Sequence, residues 1–215
     1  MKYNYTHITM VIDKSGSMRG KETDVSGGFN KFITDQQKAE GDATLTLVEF
    51  ADFYTKRFDF LDVKAIKPDY ELCPGGSTAL LDAIARAMFE TGASLSAMPE
   101  NKRPSKVLFI IFTDGEENSS RDNSFTDVQE MIKVQRENFN WEFLFFGADI
   151  DAIGTASKIG IGYGQTVQAS KGKTGAVFYT ASAATSNYRK TGLIQGAQGM
   201  TVQADYDQQE NDKKV

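Results

Sequence analysis

Several residue types are scarce in this sequence, and their scarcity excludes some functions. Cys73 is the single cysteine, so no internal disulfide can form. His7 is the single histidine, so neither a histidine-based catalytic triad nor a zinc site built on histidines can be assembled. We therefore interpret Cys73 as a bystander thiol, and we expect His7 to lie at the start of a strand.

Long apolar runs and a strong charge bias are also absent. No stretch approaches the roughly 20 apolar residues that a membrane-spanning helix needs, and the polar segment from Met1 to His7 is not followed by the apolar core of a signal peptide. The 24 Lys and Arg residues against 29 Asp and Glu residues give a net charge of −5 without long runs of either sign. We expect a cytoplasmic protein that binds neither membranes nor nucleic acid.

Patterns typical of strands and of helices alternate along the chain. Such alternation is typical of an α/β sheet with helices on both faces. We predict a doubly wound, mostly parallel six-stranded sheet with one antiparallel edge strand, in a single domain over residues 1–192. Residues 193–215 are rich in Gly, Gln, Asp and Lys, which favours a flexible C-terminal tail.

The expected elements follow from hydrophobic periodicity and turn residues. The predicted strands lie at 7–13, 43–50, 53–60, 106–113, 141–146 and 165–169, and the predicted helices at 20–40, 78–98, 125–139, 151–159 and 174–188. The link through Ala51 and Asp52 is too short for a parallel crossover, so the second and third strands are predicted to form a hairpin. In the second helix, the predicted buried face consists of Leu81, Ile84, Ala85, Met88 and Phe89. In the last helix, the predicted core residues are Phe178, Ala181, Thr185 and Tyr188.

The segment that follows the first predicted strand carries oxygen ligands. Asp13, Ser15 and Ser17 come after an apolar run that ends at Ile12, and they place one carboxylate and two hydroxyls close together. Oxygen donors of this kind suit Mg²⁺, Mn²⁺ or Ca²⁺. Because the ligands of an open parallel sheet gather beyond the carboxyl ends of its strands, this loop is the expected functional site.

Two later segments are expected to reach the same edge of the sheet. Thr78 lies at the predicted start of a helix, and Asp114 follows the apolar run over 107–112. With the first loop they would supply five oxygens to one ion and leave an octahedral position for water or an incoming carboxylate. Because two carboxylates only balance the charge of a dication, a further anion from outside is favoured.

These three segments resemble the metal-ion-dependent adhesion site (MIDAS) of von Willebrand factor A (vWA) domains. That site combines a DxSxS loop, here DKSGSM with Asp13, Ser15 and Ser17, with a later Thr, here Thr78 in GGSTALLDA, and a later Asp, here Asp114 in FTDGEEN. The resemblance covers nearly the whole chain up to residue 190 and is strongest for the compact bacterial and phage-borne type. It implies a Rossmann-like fold with an antiparallel edge strand.

The resemblance also implies a function and a role for each ligand. Ser15 and Ser17 would bind the metal directly, Thr78 directly or through water, and Asp13 and Asp114 often through water. The expected ion is Mg²⁺, with Mn²⁺ or Ca²⁺ as alternatives, and the sixth ligand is an Asp or Glu carboxylate of a partner protein. The implied function is a non-catalytic protein-binding module, and family members commonly act beside an ATPase of the chaperone type.

Two other interpretations stay open. A metal-dependent phosphohydrolase of the haloacid-dehalogenase type also has an Asp after its first strand. The carboxylate that such an enzyme needs two residues later for proton transfer is here Ser15. A scaffold or virion component with a vestigial metal site is the third interpretation.

Polar residues around the motifs have simpler roles to weigh against a place in the site. Thr78 is also a good N-cap residue for the helix that follows it. Glu116 and Glu117 are expected to be solvated, with a position at the rim of the site as the alternative. Asp149 and Asp151 are predicted to be turn and helix-cap residues.

Overall fold

A six-stranded sheet runs through the part of the chain that the structure, a computed structural model, describes: residues 1–148, 151–169 and 174–194. Its strands are β1 (Lys2–Asp13), β2 (Asp42–Phe50), β3 (Tyr54–Asp62), β4 (Pro104–Thr113), β5 (Glu142–Ala148) and β6 (Thr166–Ala169). The helices are α1 (Glu22–Lys38), α2 (Leu80–Ala97), α3 (Phe125–Phe139), α4 (Ala152–Lys158) and α5 (Thr174–Thr191). Neighbouring strands are parallel except for β3, which runs antiparallel to β2 at one edge. The predicted fold class is confirmed.

The strands β1 and β4 are neighbours at the centre of the sheet, whose order is β3-β2-β1-β4-β5-β6. The chain first builds outward from β1 to β3, and it then returns through α2 to the other side of β1. The point between β1 and β4 is therefore the topological switch point, where open α/β sheets bind ligands. Asp13 ends β1 and Asp114 directly follows β4, so both carboxylates lie at this point.

Two hydrophobic clusters hold the helices against the two faces of the sheet. Alternation along β1 assigns Met10 and Ile12 to one cluster and Val11 to the other. The first cluster includes residues of α1 and α5, and the second includes residues of α2, α3 and α4. The residues predicted for the core of the last helix are all buried: Phe178, Ala181, Thr185 and Tyr188.

Three details of the elements differ from the sequence predictions. β1 begins at Lys2 and not at residue 7, because its polar first half pairs through the backbone with β2 and β4. His7 consequently lies inside the strand and is fully buried, with its ring stacked on Phe60 at 3.7 Å. The prediction that Phe89 is buried is wrong, since it is 72% exposed. One residue beyond the buried Met88, it is turned about 100° around the helix.

A buried arginine fastens α5 to the end of α1. The guanidinium of Arg189 donates hydrogen bonds to the backbone carbonyl oxygens of Gln36 at 2.6 Å, Ala39 at 3.2 Å and Gly41 at 2.9 Å. These carbonyls belong to the last turn of α1 and the residues after it, where the helix dipole favours a cation. The guanidinium therefore helps to position α5 along α1, together with the apolar contacts of the first cluster.

The remaining sequence predictions concern the chain end and the membrane. The last helix, α5, ends at Thr191. Of the predicted tail over 193–215, only residues 193 and 194 are among the described residues. The predicted domain boundary therefore stays a prediction. Across the three described ranges, no helix is both long enough and apolar enough to cross a bilayer.

Candidate metal centre

Asp13, the last residue of β1, is fully buried and accepts two short hydrogen bonds. Its Oδ1 accepts the backbone N–H of Ser15 at 2.7 Å, and its Oδ2 accepts the hydroxyl proton of Thr113 at 2.7 Å. Burial raises the pKa of Asp13, and the hydrogen bonds from Thr113 and Ser15 oppose that shift. A dication beside this carboxylate would stabilise the charged form that burial disfavours.

Ser15 and Ser17 lie on a tight turn whose backbone is held by the loop before α2. Gly16 donates its N–H to the carbonyl oxygen of Gly76 at 2.8 Å. The two serine hydroxyl oxygens are 2.9 Å apart, and the Ser17 hydroxyl donates to Oδ1 of Asp114 at 2.8 Å. The first loop thus reaches the carboxylate that follows β4.

Both oxygens of the Asp114 carboxylate accept a hydrogen bond. Oδ1 accepts from the hydroxyl of Ser17, and Oδ2 accepts from the ammonium of Lys21, the residue before α1. The Asp114 side chain is only 1% exposed. The second carboxylate of the site is therefore buried and held in one orientation by two donors.

Thr78 is positioned through its backbone and not as a helix cap. Its N–H donates to Oδ1 of Asn118 at 2.9 Å, and its carbonyl oxygen accepts the N–H of Asn118 at 3.1 Å. Ala79 is the N-cap residue of α2, so the alternative role of Thr78 as N-cap is wrong. Glu117 satisfies the start of α2 instead, because its Oε2 accepts the N–H of Leu81 at 3.0 Å.

The other acids near the motifs have structural roles or none. Glu117 accepts two further backbone N–H groups in its own loop, so the expectation that it is merely solvated is wrong, whereas Glu116 is exposed as expected. Asp151 is the N-cap residue of α4 and accepts a backbone N–H at 2.8 Å, which confirms its predicted role. The predicted turn residue Asp149 lies outside the described residues.

The three loops converge on a space beside Gly115. A β-carbon placed on Gly115 would lie 3.0 Å from Oγ of Ser17, 3.0 Å from Oγ1 of Thr78 and 3.5 Å from Oδ2 of Asp13. Glycine therefore leaves open a space that any side chain would enter. Because the other two predicted ligands contact Ser17 directly, the structure brings all five predicted residues together.

The ligand chemistry of this space is that of a hard dication. Its donors are two carboxylates and three hydroxyls, and such oxygens suit Mg²⁺, Mn²⁺ or Ca²⁺ better than softer metals. Neither at this site nor elsewhere in the described part of the chain do three or more His, Cys, Asp or Glu side chains lie close enough together to bind a metal. A cation at this site therefore depends on neutral hydroxyl ligands, which leave it electrophilic toward a further anion.

Four residues that shape the site are not indicated by the ligand pattern: Thr113, Gly115, Asn118 and Lys21. The first three lie within the FTDGEEN segment around Asp114, and this position next to a predicted ligand could have indicated that they belong to the site. Lys21 has no such signal, because its contact joins residues 93 positions apart.

Comparisons with known proteins identify the class of fold. No protein-family model and no curated protein matches the chain. Among solved structures it is similar to proximal thread matrix protein 1 from the mussel byssus with a zinc-occupied MIDAS motif (17% identity, TM-score 0.55, 87% of this chain and 46% of that chain). It is also similar to a von Willebrand factor type A protein from Catenulispora acidiphila (15% identity, TM-score 0.58, 85% of this chain and 43% of that chain). A third similar structure is the vWF domain of the type V pili tip protein Mfa5 from Porphyromonas gingivalis (12% identity, TM-score 0.58, 88% of this chain and 98% of that chain).

The chain therefore has the fold of von Willebrand factor type A domains, as its motifs predict. It spans about half the length of the mussel protein, with 46% of that chain covered. At identities this low, the structural similarity establishes the fold alone. The function has to be argued from the site.

Proposed function

We propose that this chain is a non-catalytic protein-binding module in which an Mg²⁺ ion, held by the five oxygen ligands described above, captures an Asp or Glu carboxylate of a partner protein. The observation that carries the proposal is the open space beside Gly115, where oxygens from three loops converge at the topological switch point. The zinc-occupied MIDAS motif in a structure of the same fold supports a divalent cation at this place.

The spacing of the serine hydroxyls supports magnesium. Oγ of Ser15 and Oγ of Ser17 are 2.9 Å apart, and adjacent ligands in an octahedron with metal–oxygen bonds of about 2.1 Å are about 3 Å apart. The same separation suits the hydrogen bond between the two hydroxyls. An ion could therefore replace that hydrogen bond without the two oxygens moving apart. Ca²⁺ often takes seven or eight oxygen ligands, more than the five of this site and one from a partner, and Mn²⁺ is the closer alternative.

The proposed module does not turn over a substrate. Ser15 stands where a haloacid-dehalogenase-type phosphohydrolase needs its acid–base carboxylate, and its hydroxyl pairs with that of Ser17. Within the described residues, neither carboxylate of the site lacks a donor, since Asp13 and Asp114 each accept two hydrogen bonds. His7 is buried in β1 against Phe60. These contacts favour a binding role over proton transfer.

The proposed partner is a protein that offers an exposed acidic side chain. Structures with this fold include a thread matrix protein and a pilus tip protein, which supports a role in binding other proteins. An ATPase of the chaperone type is a candidate partner from the motif resemblance. The cytoplasmic location and the bacterial or phage origin stay predictions.

Metal binding is the first test of this proposal. Isothermal titration calorimetry with MgCl₂ and with MnCl₂ is expected to show a single site in the wild-type protein and no site in Asp13→Ala. The matched control is Asp69→Ala, which removes an exposed carboxylate outside the motifs. Loss of binding in the control as well would attribute the effect to overall charge and reject the assigned site.

Carboxylate capture is the second test. Labelled protein is applied to an array of peptides that each carry one Asp or Glu, in MgCl₂ and in EDTA, and capture is expected only with magnesium. Equal capture in EDTA would reject the proposal. Robust Mg²⁺-dependent hydrolysis of p-nitrophenyl phosphate would favour the phosphohydrolase, and assembly unchanged in Asp13→Ala would favour the scaffold with a vestigial site.

A further inference from the structure

Lys21 brings into the candidate site a positive charge that the ligand motif does not contain. Its ammonium contacts Oδ2 of Asp114. Its backbone is held on both sides, because its N–H donates to the carbonyl oxygen of Met18 at 3.1 Å and its own carbonyl accepts the N–H of Val25 at 2.9 Å. The Lys21 side chain is 19% exposed against 1% for Asp114. The charge therefore lies between the buried carboxylate and the solvent.

The contact also determines what Asp114 does. Oδ1 accepts the Ser17 hydroxyl proton and Oδ2 accepts the ammonium of Lys21. Because the proton of Ser17 is directed at Asp114, the Ser17 oxygen accepts the hydroxyl proton of Ser15, and a bound ion would take the place of that proton. Besides offering an oxygen ligand, Asp114 therefore orients Ser17, and its carboxylate also contacts the lysine.

Lys21 places a positive charge directly beside the carboxylate of Asp114. A positive charge at this position opposes a dication bound at the same carboxylates and favours an incoming anion. At a partly exposed position a unit charge changes the affinities of nearby ions moderately and is screened by salt.

We propose that Lys21 sets the preference of this site for an anionic ligand: its ammonium weakens binding of the dication and strengthens capture of a carboxylate by the loaded site. The inference rests on the proposed metal-dependent function. It assigns opposite effects to one side chain in two binding steps, a pattern that a lysine with only a structural role does not produce.

The experiment compares Lys21→Met, which removes the charge at similar length, with Lys21→Arg, which keeps it. The control Lys31→Met removes a lysine within α1, which pairs with Asp35 on the helix surface. Calorimetry with MnCl₂ is expected to show roughly threefold to tenfold tighter binding in Lys21→Met, the effect of one unit charge at a partly exposed site. Acetate binding to the Mn²⁺-loaded proteins, followed by water-proton relaxation, is expected to weaken in Lys21→Met by a similar factor.

The outcomes separate this inference from the proposed function. Lys21→Arg and Lys31→Met are expected to stay within about twofold of the wild-type protein in both measurements. Unchanged or weaker Mn²⁺ binding in Lys21→Met overturns the role of Lys21, while the proposed function stands if the wild-type protein binds the ion. Failure of the wild-type protein to bind Mn²⁺ overturns both. If circular dichroism shows that Lys21→Met is unfolded, Lys21→Gln replaces it. Tighter Mn²⁺ binding and weaker acetate binding are then expected in Lys21→Gln.

Discussion

Replacing Gly115 by alanine tests where the ion binds. The new methyl carbon would lie 3.0 Å from Oγ of Ser17 and 3.0 Å from Oγ1 of Thr78, closer than the roughly 3.5 Å of an ordinary contact. Both contacted atoms are ends of side chains, which can move by a few tenths of an ångström. Gly115 does not have a positive φ, so its backbone accepts alanine without strain.

The expected cost differs between folding and metal binding. Crowding of this size costs about 1–3 kcal/mol of unfolding free energy, which leaves a domain of ordinary stability folded. An Mg²⁺ ion needs its oxygens at about 2.1 Å, and a methyl group in the same space removes that coordination shell. We expect the Mg²⁺ affinity of Gly115→Ala to fall by roughly 10-fold to 100-fold.

Calorimetry measures this affinity, and thermal unfolding with and without Mg²⁺ separates binding from folding. The control is Gly92→Ala in α2, where an added β-carbon meets nothing within 4 Å and alanine is expected to stabilise the helix by about 0.5–1 kcal/mol. Wild-type Mg²⁺ affinity in a folded Gly115→Ala protein would refute the reasoning, because the ion would then lie elsewhere.

Two further predictions concern buried polar residues away from the site. Burial lowers the pKa of His7 from its ordinary value of 6.5 to about 3, so stability is full above pH 6.5 and is lost as the pH falls toward 3, by about 2 kcal/mol at pH 5. Urea unfolding is expected to show that the wild-type protein loses about 2 kcal/mol more unfolding free energy between pH 7 and pH 5 than His7→Gln does. Equal losses in the two proteins would contradict this prediction. Arg189→Met leaves backbone carbonyls at the end of α1 without their donor and is expected to cost about 3 kcal/mol in urea unfolding. The exposed neighbour variant Lys190→Met is expected to cost less than about 0.5 kcal/mol, and similar losses in the two would show that the guanidinium contacts contribute little.

The sequence predicts the elements of this fold better than their arrangement. Periodicity reflects burial, so the helices and the central apolar strand β4 lie close to their predicted positions. The placement of β1 between β2 and β4 depends on contacts between distant parts of the chain, which periodicity does not contain. His7 illustrates the same limit, because both nitrogens of its buried ring form hydrogen bonds with hydroxyls, those of Thr44 and Thr9.

In the site, the residues that belong to a motif are predictable and those that support them are not. Asp13 and Asp114 stand at strand ends where carboxylates have a recognised use. Glu117 is expected to be solvated, yet it caps α2, because Ala79 at the N-cap position has no side-chain acceptor. Lys21 reaches the site only because α1 starts directly after it, and no local pattern indicates where that start brings its ammonium.

The central position of β1 and β4 has a mechanical consequence. A partner tethered at their carboxyl ends would pull on strands that are flanked on both sides, since β1 pairs with β2 and β4, and β4 pairs also with β5. Tension along β1 would have to shear two ladders of backbone hydrogen bonds together, whereas an edge strand can be peeled away one bond after another. The strands that lead into Asp13 and Asp114 are thus better able than the edge strands β3 and β6 to resist being drawn out of the sheet under force.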